Sequence, residues 1–154
     1  NLKKLNLDQA LKQYADSGNY LIGICLGMQL LMTESEEFGN SNGLNIIEGN
    51  VKKFAFNDPN LYIPHVGWNK IFIKSNIKDK SLFKNNIDAN MYFVHSYYVD
   101  LKNKDLTLAE TQYGDKIFCS AFKKDNIYGI QFHPEKSGKK GIEIYKQISN
   151  IYYK

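Results

Sequence analysis

The feature that most constrains the fold is a short apolar run followed directly by a cysteine between two glycines. Tyr20 to Ile24 is a continuous apolar stretch, which is typical of a buried parallel strand. Leu26 to Met32 has a helical composition, and Cys25 stands at the junction in the sequence Gly23-Ile24-Cys25-Leu26-Gly27. A helix, a buried strand and a second helix in succession predict an α/β layer structure.

The rest of the chain predicts one domain with helices at both ends and strands between them. Leu2 to Tyr14 has helical spacing, with Asp8 as the N-cap and Gly18 as the stop, and Gly141 to Tyr152 predicts a final helix. Turn residues separate the β-rich runs. These runs are Val51 to Phe56, Trp68 to Ile73, Met91 to Val99, Leu106 to Thr111, Ile117 to Phe122 and Tyr128 to Phe132.

Composition excludes several classes of protein. A hydrophobic fraction of 43% over 154 residues supports a core, whereas the apolar runs fall short of the roughly 20 residues that a membrane helix needs. The net charge is +4, but every basic residue is Lys, whereas dedicated phosphate and base recognition favours the planar, bidentate side chain of Arg. We therefore expect no membrane and no nucleic-acid partner. Two cysteines and no export signal suit a reducing cytoplasm.

Cys25 is the candidate nucleophile. A cysteine on a tight strand-to-helix turn has the form of a nucleophile elbow, in which flanking glycines allow close packing. A helix N-terminus lowers a thiol pKa, and the backbone N–H of Leu26 would be one donor of an oxyanion hole. The alternative is a buried structural cysteine, since free Cys often behaves as a small apolar side chain.

His133 is the candidate general base. It follows the predicted strand Tyr128 to Phe132, and Pro134 breaks the chain there, so the imidazole lies at a strand end where open α/β sheets place their sites. Glu135, two residues further on, could accept the imidazole N–H and fix its tautomer. Cys25, His133 and Glu135 then supply a nucleophile, a base and the group that orients the base. A hydrogen-bonded structural histidine is the alternative.

The remaining histidines and the second cysteine are weaker candidates. His65 and His95 each lie beside β-rich runs and polar or aromatic residues that could line a pocket. Neither belongs to an HxH, HxxxH or CxxC pattern, so we expect no metal. Cys119 lies in an apolar run without neighbouring glycines and is interpreted as a packed strand residue.

The two motifs together resemble those of a known family. Gly23-Ile24-Cys25-Leu26-Gly27-Met28-Gln29, followed far downstream by Gln131-Phe132-His133-Pro134-Glu135-Lys136-Ser137, is similar to the class I (triad) glutamine amidotransferases. Gly67-Trp68-Asn69 and Phe93-Val94-His95-Ser96-Tyr97 most resemble the glutaminase subunit of imidazole glycerol phosphate synthase. The resemblance implies a single amidotransferase domain over residues 1–154, with an open mixed sheet flanked by helices.

The resemblance also implies a reaction and roles for further residues. L-Glutamine would be hydrolysed to glutamate and ammonia through a thioester on Cys25, without a cofactor. Gln29, Ser96 and Tyr97 would bind the substrate. Trp68 and Asn69 would face a (β/α)8-barrel cyclase subunit that uses the ammonia in histidine biosynthesis, although Trp68 could equally be a Trp packed on a strand face.

One departure from the family concerns the start of the chain. The family carries a first strand and a glycine-containing oxyanion loop upstream of the nucleophile, whereas only 24 residues precede Cys25 here and none forms that loop. The sequence also has no initiator Met. We therefore expect the domain to be N-terminally incomplete. Loss of one oxyanion donor typically lowers the rate by about 10²–10³.

Three alternatives share these motifs. The first is a glutaminase that supplies ammonia to a surface-polysaccharide sugar amidotransferase, because the acceptor chemistry belongs to the partner. The second is a non-catalytic binding subunit with the same fold; an intact triad argues against it and the missing loop argues for it. The third is a cysteine peptidase, for which no sequence feature indicates a peptide groove.

Overall fold

The computed structural model describes residues 2–75, 81–83 and 89–153. In these ranges the α-helices are α1 (Leu7–Asp16), α2 (Leu26–Leu30) and α3 (Gly138–Tyr152). The strands are β1 (Leu21–Ile24), β2 (Glu34–Ser35), β3 (Ser41–Asn42), β4 (Gly49–Lys53), β5 (His65–Lys70), β6 (Phe72–Ile73), β7 (Asn90–His95), β8 (Tyr97–Leu101), β9 (Thr107–Tyr113), β10 (Lys116–Lys124) and β11 (Ile127–Ile130).

The strands form one large mixed sheet and one small sheet. In the described ranges, the large sheet has nine strands in the order β1-β11-β10-β8-β4-β2-β3, with β9 pairing β10 and β6. The β1–β11 and β2–β4 pairs are parallel and the other pairs are antiparallel. Strands β5 and β7 pair only with each other among the described residues. The mixed sheet with helices at its faces confirms the predicted fold class.

The helices cover both faces of the large sheet. Consecutive side chains of a strand point to opposite faces, and Phe118 and Cys119 of β10 enter two different apolar clusters. The Phe118 cluster includes Ile144 and Ile151 of α3. The Cys119 cluster includes residues of α1 and α2. The sheet is thus a middle layer between α3 on one face and α1 and α2 on the other.

The first helix begins later than its apolar spacing predicts. Asn6 has a left-handed backbone with φ of 54°, which interrupts the helix, and Lys3–Leu5 forms a separate 3₁₀ turn. Asp8 therefore lies in the first turn of α1 and is not the N-cap, so that prediction was wrong. Gly18 follows the helix end with φ of 83°, as predicted for a helix stop.

Helix α2 ends at Leu30, two residues before its predicted end. The backbone N–H of Leu44 donates to the carbonyl of Leu30, and those of Ile46 and Ile47 donate to the carbonyl of Leu31. The next loop therefore satisfies the carbonyl groups at the helix end.

Two predicted strand runs are each divided between the two sheets. The run Trp68 to Ile73 becomes β5 and β6, with buried Ile71 between them. The run Met91 to Val99 becomes β7 and β8, separated by Ser96. Each division is a point where the chain crosses from the small sheet to the large one.

Candidate active site

Cys25 occupies a strained turn between β1 and α2. Its backbone has φ of 52° and ψ of −109°, a combination that L-residues rarely adopt. Its N–H donates to the carbonyl of Ile130 at 2.7 Å, which holds the turn against the end of β11. The strand, turn and helix expected around the cysteine are therefore present.

The parallel pairing of β1 with β11 brings the two sequence motifs together. Ile24 and Ile130 are register partners, so Cys25 and Gln131 leave the sheet side by side at the carboxyl ends of their strands. His133 follows two residues later, and its backbone N–H donates to the carbonyl of Tyr92 at 2.8 Å. The candidate nucleophile and base thus lie at the same edge of the sheet.

The tautomer of His133 is fixed by Glu135. The Nδ1 atom of His133 lies 2.6 Å from Oε1 of Glu135. A carboxylate only accepts, so Nδ1 carries the proton and Nε2 of the neutral ring has a free lone pair. In the described part of the chain, Nε2 is a buried atom without a hydrogen-bond partner. This is the state that a general base needs before it receives a proton.

Glu135 is held ionised. Burial raises its pKa, but hydrogen bonds from His133 and from its own backbone N–H outweigh that effect, and the hydroxyl of Tyr145, at 3.4 Å, adds a smaller contribution; the pKa is left below its ordinary value. The negative charge beside Nδ1 favours the His133 tautomer described above and would stabilise an imidazolium.

The thiol of Cys25 is not activated by its position alone. Burial raises its pKa, and the hydrogen bond from the backbone N–H of Leu26, which lowers it, does not compensate. The expectation that the helix start would lower this pKa was therefore wrong, because desolvation of the half-buried sulfur is the larger effect. A neutral thiol of this kind needs a base to become a nucleophile.

Of the three residues expected to bind substrate, Gln29 lies one helical turn from Cys25, and its backbone N–H donates to the carbonyl of Cys25 at 3.2 Å. Gln29 is buried, and its Nε2 atom donates to the carbonyl of Tyr97 at 3.0 Å and to Oε1 of Gln131 at 3.1 Å. Ser96 lies between β7 and β8, and its carbonyl accepts from the N–H of Phe54. Both amide hydrogens of Gln29 are thus used within the protein. Substrate binding by these residues stays a prediction.

The two residues expected at a partner interface differ in their exposure. Trp68 has 57% of its surface exposed and contacts Tyr92 edge to face at 6.0 Å. The side-chain amide of Asn69 is turned inward, since its Nδ2 atom donates to the carbonyl of Gln112 at 2.8 Å. Trp68 is available for contact, whereas Asn69 holds the strand in place; an interface role for either stays a prediction.

Two features of the site were not predicted. His65 and His95 are cross-strand partners in the small sheet, and their rings are buried side by side. Gln131 belongs to the quoted motif, yet its contact with the cysteine, 3.7 Å from Nε2 to Sγ, did not follow from the sequence. His65 is the first residue of β5 and His95 the last residue of β7, but these strand ends were not marked in the predicted runs, so the pairing had no signal in the sequence. Cys119 is buried in β10, as predicted.

Neither metal chemistry nor a membrane helix is indicated by the described residues. No group of three or more His, Cys, Asp or Glu side chains in residues 2–75, 81–83 and 89–153 is arranged to hold a metal ion. Across the same ranges, none of the helices combines the length and apolar character that crossing a membrane requires.

Comparison with known proteins places this geometry in context. Residues 5–148 match the family model described as glutamine amidotransferase class-I. The chain is 40% identical over 151 residues to the imidazole glycerol phosphate synthase subunit HisH of Chlorobium chlorochromatii, covering 97% of this chain and 73% of that protein. It is 44% identical over 144 residues to the subunit HisH of Helicobacter hepaticus, covering 93% and 65%.

A solved structure shares the fold at lower identity. The structure of PurLQS from Thermotoga maritima superposes with a TM-score of 0.67 at 16% identity, covering 96% of this chain and 68% of that one. At this identity the likeness concerns the fold alone. The overall fold is therefore one already seen in an experimental structure.

Proposed function

The chain belongs to the class I glutamine amidotransferases, and we propose that it is the glutaminase subunit of an imidazole glycerol phosphate synthase. In this role it hydrolyses L-glutamine to glutamate and ammonia, and the ammonia serves histidine biosynthesis. The observation that carries the proposal is the location of Cys25 and of the His133–Glu135 pair at one sheet edge. The identity to subunits named HisH supports the choice of pathway.

The first half of the reaction uses the thiol and the imidazole. Nε2 of His133 takes the proton of the Cys25 thiol as the sulfur attacks the side-chain amide carbon of glutamine. The tetrahedral oxyanion accepts a hydrogen bond from the N–H of Leu26. When the C–N bond breaks, His133 returns the proton to the leaving nitrogen, which departs as ammonia and leaves a γ-glutamyl thioester.

The second half regenerates the enzyme. His133 takes a proton from water, and the hydroxide attacks the thioester carbonyl. Collapse of this second tetrahedral intermediate breaks the C–S bond, releases glutamate and returns the proton to the sulfur. Glu135 remains ionised throughout and stabilises the imidazolium each time it forms.

Substrate binding is assigned to residues that line the same edge. The amide nitrogen of Gln29 is used within the protein. The Oε1 atom of Gln29 would therefore be the atom that contacts a bound glutamine. Ser96 and Tyr97 follow β7 at the level of Gln29 and would hold the amino-acid end of the substrate. These roles rest on the family motif and, for Gln29, on its position one helical turn from Cys25.

The partner is a (β/α)8-barrel cyclase, with which the chain forms a heterodimer in the cytoplasm. Exposed Trp68 at the small sheet is the proposed centre of the contact. Large aromatic side chains dominate the binding energy of many protein interfaces. The chain acts as one amidotransferase domain and needs no cofactor of its own.

The experiment measures ammonia release from L-glutamine by the full-length protein, with and without the cyclase subunit and its nucleotide substrate. Strong stimulation by the cyclase is the expected result. Turnover that is indifferent to the cyclase would contradict the pathway and direct attention to another ammonia acceptor. No turnover in either condition would contradict the enzymatic role.

A further inference from the structure

A continuous series of hydrogen bonds connects the small sheet with the sulfur of Cys25. It begins on β5, crosses to β7 and reaches the elbow through two glutamines. The atom pairs are Asn69 Nδ2 to His65 Nε2 at 3.3 Å, His65 Nδ1 to His95 Nε2 at 3.1 Å, His95 Nδ1 to Tyr97 O at 2.7 Å, Gln29 Nε2 to Tyr97 O at 3.0 Å, Gln29 Nε2 to Gln131 Oε1 at 3.1 Å, and Gln131 Nε2 to Cys25 Sγ at 3.7 Å.

The backbone carbonyl of Tyr97 determines the direction of every bond on the histidine side. A carbonyl oxygen only accepts, so Nδ1 of His95 must donate to it and Nε2 of His95 must then accept. Nδ1 of His65 is therefore the donor to His95, which leaves Nε2 of His65 as the acceptor for the amide of Asn69. One tautomer of each ring satisfies all three contacts.

The same carbonyl determines the direction on the glutamine side. The atom of Gln29 that faces Tyr97 must be the amide nitrogen, and its second hydrogen points to Gln131. The acceptor there must be the Oε1 atom of Gln131, so the Nε2 atom of Gln131 is turned toward Cys25. The orientation of the group that contacts the sulfur thus follows from a carbonyl on β8.

Burial makes this arrangement rigid. His65, His95, Gln29 and Gln131 are all at most 8% exposed. Leaving one buried polar group without a hydrogen-bond partner typically costs about 1–3 kcal/mol of folding stability. Each of these side chains therefore resists any rearrangement that breaks its hydrogen bonds. Burial also lowers the pKa of His65 to about 4 and that of His95 to about 3. Both rings are neutral near pH 7, as the single tautomer requires.

We propose that His65, His95, Gln29 and Gln131 are positioning residues for the glutaminase reaction, which orient a hydrogen-bond donor toward the sulfur of Cys25 and link it to Asn69 on the small sheet. This inference rests on the proposed function. A donated N–H stabilises negative charge on the sulfur and restricts its rotamer, so it favours the thiolate that attacks the substrate.

The test measures the thiol directly and does not depend on glutamine. The rate of alkylation of Cys25 by iodoacetamide is followed against pH in the wild type, Gln131→Met and His95→Phe. We expect the first variant to react about tenfold more slowly at pH 7, because its apparent thiol pKa rises by about one unit. His95→Phe should show a smaller shift in the same direction, while kcat falls and KM stays within about twofold.

Two further variants separate positioning from folding. His95→Asn keeps a donor for the Tyr97 carbonyl and should recover most of the alkylation rate lost in His95→Phe. Thr111→Val changes a buried polar side chain of β9 outside the series and should leave the thiol profile unchanged. Circular dichroism and thermal unfolding establish that each variant is folded.

Thiol profiles and kcat values equal to the wild type in folded Gln131→Met and His95→Phe would overturn the proposal. If Gln131→Met does not fold, the comparison of His95→Phe with His95→Asn decides the proposal in the same way. A wild-type protein that is alkylated normally but does not hydrolyse glutamine would overturn the proposed function instead, so the two failures are distinguishable.

Discussion

Gly23 packs directly against the backbone of Gly27. A Cβ atom added to Gly23 would lie 2.6 Å from the carbonyl carbon and oxygen of Gly27, whereas one added to Gly27 would have no atom within 4 Å. The two glycines flank the same cysteine and look equivalent in the sequence. Only Gly23 allows the close approach of β1 and α2 that forms the elbow.

We expect Gly23→Ala to lower the free energy of unfolding by about 3 kcal/mol, because backbone atoms cannot move aside as side chains can. Gly27→Ala is the matched control and should raise it by about 0.5–1 kcal/mol, since alanine favours an open helical position. Urea unfolding of both variants gives the two values. Equal losses in both would contradict the packing described here.

Cys25→Ala should abolish glutaminase activity, with kcat at least about 10³-fold lower, because the covalent intermediate cannot form. Binding to the cyclase should be unchanged. Cys119→Ala is the control: that thiol is buried, and burial raises its pKa to about 12, so it cannot act as a nucleophile near neutral pH. Ammonia release is the measurement, and undiminished turnover in Cys25→Ala would refute the mechanism.

Glu135→Gln should lower kcat by about 10²–10⁴, with a smaller effect on KM. An amide can present its N–H to Nδ1 of His133, which favours the wrong tautomer and removes the charge that stabilises the imidazolium. Glu143→Gln alters an exposed ion pair with Lys140 on α3 and serves as the control. Steady-state kinetics on L-glutamine distinguish the two variants, and equal kcat values would contradict the role of Glu135.

The buried histidines predict how stability depends on pH. Their folded pKa values of about 4 for His65 and about 3 for His95 lie below the ordinary value of 6.5. Between these values the unfolded chain binds up to two more protons than the folded chain, so acidification favours unfolding. We expect the free energy of unfolding to fall as the pH is lowered from about 6.5 toward 4.

The matching variant is His95→Gln, which removes one of these titrating groups. The slope of unfolding free energy against pH is proportional to the number of protons taken up on unfolding. In the variant this number should be smaller than in the wild type by about one, whatever the stability of the variant at pH 7. Denaturant unfolding at a series of pH values between 7 and 4.5 gives both slopes. Identical slopes would mean that His95 is not the source of the dependence.

Trp68→Ala should weaken binding to the cyclase by about 2 kcal/mol, or roughly 30-fold in Kd, because an exposed Trp at an interface typically contributes strongly. Stability of the isolated chain should change by less than about 1 kcal/mol, since more than half of the side chain is in solvent. Tyr153→Ala, an exposed aromatic at the end of α3, is the control. Calorimetric titration with the cyclase that gives equal affinities for the two variants would contradict this interface.

The elements that the sequence predicts well are those with a strong local pattern. The apolar run before Cys25 identified β1, and the spacing from Gly141 to Tyr152 identified α3, which begins three residues earlier at Gly138. Burial of a continuous or periodic apolar surface decides both elements. The start of α1 was mispredicted, since the left-handed backbone of Asn6 has no apolar signature. Division of the strand run at Ser96 depends on which sheet each half can join.

The candidate site could be predicted only in part, for a similar reason. The types and order of Cys25, His133 and Glu135 indicate the chemistry, because few combinations of side chains can perform it. The contact of His65 with His95 depends on a register between strands 30 residues apart, which no local pattern reveals. The raised thiol pKa depends on burial in three dimensions and even has the opposite sign to the prediction.

The distance along the chain between the two halves of the site also has a consequence during synthesis. Cys25 and Gln131 are 106 residues apart, and the short pairing of β1 with β11 is what brings them together. A ribosome adding about 5–20 residues per second needs roughly 5–20 seconds to cover that interval. Throughout this time the nascent chain carries its nucleophile without its base, so glutamine consumption begins only after β11 has emerged and paired.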